Sequence, residues 1–62
     1  MASNSYVFSL ERKIIGGLMK LKRGEINPDN KNLNYMFESM MKLDYAIYEV
    51  LFKRFIKIIN KK

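Results

Sequence analysis

Few side chains in this sequence could do chemistry. Its 62 residues include no His and no Cys, which removes zinc sites, disulfides, thiol nucleophiles and every imidazole base. What remains for acid–base or metal work is six carboxylates: Glu11, Glu25, Asp29, Glu38, Asp44 and Glu49. A calcium loop packs its oxygen ligands into about twelve residues, and a hydrolytic pair needs two carboxylates facing one another. These six never cluster in either way. Ser3, Ser5, Ser9 and Ser39 have no base to activate them, and Gly16-Gly17 and Gly24 lack the pattern of a phosphate-binding loop. No catalytic residue, metal ligand, cofactor or small-molecule substrate is expected, so the chain reads as a non-enzyme.

The basic residues are a different matter. The net charge is +6, and Lys53, Arg54, Lys57, Lys61 and Lys62 fall in the last ten residues with no acid among them. Cations there complement the carbonyl end of a helix and aid solubility. They are also candidate contacts to a nucleic acid, although no zinc-finger, basic-zipper or RNA-recognition signature accompanies them. Tyr45, Tyr48 and Phe52 could stack on bases, but aromatics spaced by three and four more often face a core. A further alternative treats residues 48–62 as a basic amphipathic helix lying on an anionic membrane surface.

The elements that must position these residues are helical. Gly24 suits the left-handed position just past a helix end, behind Lys20, Lys22 and Arg23. Asn27 then reads as an N-cap, Pro28 as the first helical position and Asp29 as a first-turn acid. The expected architecture is all-α, a single helical-hairpin domain over residues 1–62. Its first helix covers about 5–23, the turn 24–27 and the second helix about 28–60. Gly16 and Gly17 interrupt the first helix; Gly17 lies at the edge of the apolar arc, which favours a close helix contact there.

The second helix is apolar around well over half its circumference, whereas a surface helix needs a stripe of only about 100°. In an antiparallel hairpin turning at 24–27, the first helix covers the second only to about residue 44–47. Tyr48, Val50, Leu51, Phe52, Phe55, Ile56, Ile58 and Ile59 are then left as the expected oligomer or partner interface. A homodimer, as a four-helix bundle, follows.

Asp44 is the anomaly in that helix. On the wheel it sits among Leu33, Phe37, Leu51 and Phe55, as a buried polar residue that must be paired or hydrogen-bonded. The hairpin register places it opposite residues 7 and 8, where free amides around Ser5 to Phe8 could donate to it. Pairing with Arg12 or Arg54 across an oligomer interface is the alternative. Met40-Met41-Lys42-Leu43-Asp44 also resembles the Ser-Gln-Glu-Leu-Asp motif of the small sporulation-phosphorelay aspartyl-phosphate phosphatases. Leu43 and Asp44 match that motif and the other three positions do not; the resemblance implies a helical hairpin with Asp44 as the functional residue.

MASNSYVFSLERK has no secretory-signal pattern, and the lack of Cys fits a reducing compartment, so a cytoplasmic location is expected. Nine Lys, six Asn, seven Ile and four Tyr are the usage of an AT-rich genome, such as that of a low-GC bacterium or its phage. At 62 residues the chain is near the lower size limit for folding alone. The favoured function is a small regulatory protein that homodimerises and binds another protein, with nucleic-acid binding as the alternative.

Overall fold

The chain turns twice, and each turn has a local chemical cause. In the computed structural model, which describes the backbone of residues 2–61 and the side chains of residues 5–61, the turns separate three helices. They are α1 (Ala2–Lys22), α2 (Lys31–Leu43) and α3 (Tyr45–Asn60). No strand occurs among the described residues.

The first turn is set by Gly24, whose φ of 80° is open to glycine and strained for other residues. Its N–H donates to the Leu21 carbonyl at 3.0 Å, and the Glu25 N–H donates to the Lys20 carbonyl at 2.8 Å. This double bond pattern closes α1 by satisfying carbonyls the helix leaves open. The second helix starts one turn later than Asn27 suggests. Asn27 instead accepts from the Asn30 N–H at 3.0 Å, closing a tight turn with Pro28 at its second position, where a fixed φ fits. Asn30 is the cap: its side-chain oxygen accepts from the Leu33 N–H at 3.0 Å. Asn34 ties the turn down by donating from its side chain to the carbonyls of Asn30 and Pro28.

The second turn corrects the expectation of one helix over 28–60. Leu33, Phe37, Met40, Asp44, Ile47, Leu51, Phe55 and Ile58 follow one another at spacings of three and four. An unbroken helix would therefore hold the Asp44 carboxylate inside its apolar seam, at a cost of several kcal/mol for an unpaired charge. The chain breaks there instead. Asp44 is extended (φ −155°, ψ 94°), and its Oδ1 accepts from the Ile47 N–H at 3.2 Å, capping α3. Its own N–H still donates to Met40 and its carbonyl still accepts from Tyr48, so the interruption costs little hydrogen bonding. Asp44 is thus a half-buried cap of its own helix; it is neither fully buried nor bonded to the amides at the start of α1.

Breaking at Asp44 lets α3 fold back along α2. The Phe37 ring meets Tyr48, Phe52 and Phe55 edge-on, with centroids 6.1, 5.6 and 5.4 Å away. Such edge-to-face pairs add stabilisation beyond area burial. Near the other end of α3, Ile58 shares a groove with Leu18 and Leu21, so α3 runs antiparallel to α2 and parallel to α1. The result is a three-helix bundle of 39 × 18 × 15 Å. Leu10, Ile14, Leu18 and Leu21 from α1, Leu33, Phe37 and Met40 from α2, and Leu51 and Phe55 from α3 form one core. At Gly17 α1 packs tightly on α2: a Cβ there would lie 3.0 Å from Leu33 Cδ1.

The fold-back also removes the premise that the last third of the chain is uncovered. Leu51 and Phe55 are core residues of their own molecule, and Tyr48, Ile56, Ile58 and Ile59 pack against that core. Val50 and Phe52 alone of the eight expected interface residues are exposed.

Candidate interaction surface

Three helices leave three grooves, and the one between α1 and α3 is the most distinctive. Residues 15, 19 and 22 of α1 lie along one stripe that begins at residue 8, and residues 54 and 57 of α3, with its C-cap residue 61, lie along another that begins at residue 50. Between these walls is an open groove of about 590 Å³. Ile15, Leu18, Met19, Leu21 and Ile58 form its floor; Lys22, Arg54, Lys57 and Lys61 form its rim. No acid lines it. Beyond its Ile15 end, Phe8 and Val50 add apolar surface, each more than half exposed, and Met19 is 54% exposed; there the half-buried Glu11 lies one turn before Ile15 on the same side of α1. Arg12 lies over the Phe8 ring at 5.6 Å, a cation–π contact that adds a further cation to this face.

Electrostatically the groove is one-sided. None of its four rim cations pairs with a carboxylate among the described residues; the ion pair found there joins Arg23 Nε to Glu25 at 2.7 Å, in the exposed turn. The hydrogen bond to Arg23, then its charge, hold the Glu25 carboxyl below the usual range; Glu25 in turn raises Arg23. Lys22, Lys57 and Lys61 sit near the carbonyl ends of α1 and α3 and complement them. Arg54 lies almost two turns short of the α3 terminus, where a helix-end role does not account for it.

Of the five basic residues singled out in the sequence, Arg54, Lys57 and Lys61 line this groove. Lys53 is exposed on another side of α3, and Lys62 lies outside the described residues. From α1 the groove takes Ile15, Met19 and Lys22, with Phe8 farther along the same stripe, none of which the sequence alone assigns to an interface. Their spacing of seven, four and three was the available signal.

A second apolar feature faces the α2 side. Tyr45, Tyr48, Phe52 and Phe55 form a run of rings along α3 with successive centroids 5.4–5.5 Å apart. Tyr45 and Phe52 are exposed, and Tyr48 is half-buried. At 100° per residue this run lies across α3 from Arg54 and Lys57, so aromatic rings and groove cations do not share a face.

Asp44 makes no ion pair among the described residues beyond its capping bond. No group of three potential metal ligands comes together among those residues, and no described helix is long and apolar enough to cross a membrane. Comparison with protein-family models, with curated proteins and with solved structures finds no match to this chain.

Proposed function

We propose that this chain is a small non-enzymatic regulatory protein that acts by binding another protein through the α1–α3 groove. The observation that carries this reading is the pairing of an apolar floor with an acid-free basic rim. A side chain such as Met19, more than half exposed beside Ile15, is worth burying only against a partner. The test compares wild type with Met19→Glu in capture of partners from a lysate, with helicity checked in parallel. Loss of specific partners at unchanged helicity supports the reading; identical captured sets count against it.

Homodimerisation is the second reading, favoured by the ring run at Tyr45, Tyr48 and Phe52, of which Tyr45 and Phe52 are exposed. Stacked rings can meet their own copies across a two-fold axis, and such a contact would join two bundles by their α3 edges. Sedimentation at rising concentration separates a mass of 7.4 kDa from twice that value.

Nucleic-acid binding ranks below both. The cationic groove is floored by Ile, Leu and Met, and the rings that could stack on bases lie across α3. A phosphatase-like role for Asp44 ranks lowest, since its carboxylate is engaged in capping α3.

A further inference from the structure

We infer that the α1–α3 groove receives an acidic amphipathic helix of about three turns from a different protein, which rests on the protein-binding reading above. Length comes first. From Phe8 to Lys22 the α1 wall spans about 21 Å, and from Val50 to Lys61 the α3 wall spans about 16 Å, at 1.5 Å per residue. A helix laid along both walls runs for about three of its 5.4 Å turns, over Phe8, Ile15 and Met19 of α1 and Val50 and Ile58 of α3, with Arg12 and the half-buried Glu11 as the charged residues of the added α1 stretch.

Charge then selects the occupant. The rim presents Lys22 from α1 and Arg54, Lys57 and Lys61 from α3, without an acid between them. A helix with Leu or Ile at i, i+3, i+4 and i+7, flanked by Glu or Asp, places its apolar stripe on Ile15, Met19 and Ile58. Its acids then reach both rims. A second copy of this chain does not fit: two-fold association through the groove would set each basic rim against its twin. Nor does the outer face of α2 serve as the guest, since Lys31, Glu38 and Lys42 leave it without an acidic surplus. A nucleic-acid strand would bring the charge but leave the aliphatic floor exposed.

The test uses the intact chain and two labelled synthetic peptides of fourteen residues. They share one Leu/Ala pattern and differ in carrying Glu or Lys at the flanking positions. Fluorescence anisotropy at low salt is expected to show the Glu peptide binding about tenfold tighter, as four exposed ion pairs each contribute modestly. Salt should narrow the difference. The double substitution Arg54→Glu, Lys57→Glu, with its melting curve checked, should abolish the preference, since it leaves two cations and two acids on the rim. If the Lys peptide binds as well as the Glu peptide, the acidic occupant is wrong while protein binding survives. If neither peptide binds, and anionic phosphatidylglycerol vesicles or a single-stranded oligonucleotide do, both readings fall. A groove substitution such as Met19→Glu that leaves Glu-peptide binding unchanged also overturns the assignment.

Discussion

Replacing Asp44 with Ala attacks the fold at the single residue joining α2 and α3. The substitution deletes the Oδ1 acceptor 3.2 Å from the Ile47 N–H. Losing such a cap costs about 1 kcal/mol, within a range of roughly 0.5–2. Ala also favours helix over Asp by about half a kcal/mol, which here rewards the wrong structure: a straight helix running through position 44. Together these shift the balance between the bent and straight forms by about 1.5 kcal/mol. Set against a total stability of roughly 3–9 kcal/mol for a domain this small, that is a large fraction. At about 4–8 °C per kcal/mol, the lost cap alone should lower the Tm recorded by circular dichroism at low concentration by about 4–8 °C. Because straightening exposes Leu51 and Phe55, the variant should also gain mass with concentration in sedimentation. Asp44→Asn keeps a good capping group and should melt close to wild type. The reasoning is refuted if Asp44→Ala melts like wild type. It is equally refuted if Asn proves as damaging as Ala, which would assign the role to charge rather than capping.

Four other substitutions probe the packing and the first turn. Gly16→Ala meets nothing within 4 Å and should raise the Tm, since Ala favours helix by about 1 kcal/mol; Gly17→Ala, 3.0 Å from a Leu33 methyl, should gain less or lose in the same melt. Phe37→Ala removes the ring that contacts three others and should cost about 3–5 kcal/mol in urea unfolding, enough to leave much of the chain unfolded. The carboxyl of Glu25 is lowered in the folded state, so its stabilisation is present at neutral pH and lost as pH falls through that lowered value. Wild type should therefore melt slightly above Glu25→Gln at pH 7, and the gap should close in acid and in high salt.

How much of this was legible in the sequence depends on whether the signal was local. The end of α1 was: Gly24 after Lys20 and Lys22 has one simple meaning, and the hydrogen bonds bear it out. The close approach at Gly17 was legible too. The start of α2 was ambiguous, since Asn27-Pro28-Asp29 fits a helix start as well as the tight turn it forms. The break at Asp44 leaves no trace in periodicity, because Leu33, Phe37 and Met40 stay in phase with Leu51, Phe55 and Ile58 across it. An acid at a core position was the signal, and a one-residue corner was its least costly resolution. From that one missed corner followed the missed groove: with α3 drawn straight, Arg54 and Lys57 project beyond the end of α1 and never meet Met19.

The measurement closest to the centre is the distance between the start of α2 and the far end of α3. Spin labels on Cys introduced at the exposed positions Asn32 and Lys57 need no other substitution, as the chain has no cysteine of its own. In the bundle both sites lie at the same end, so pulsed dipolar spectroscopy should find a separation near the 18 Å breadth of the molecule plus the label arms. A straight helix through Asp44 would separate them by about 38 Å, at 1.5 Å per residue. A single population at that longer distance would contradict the fold-back and, with it, the groove.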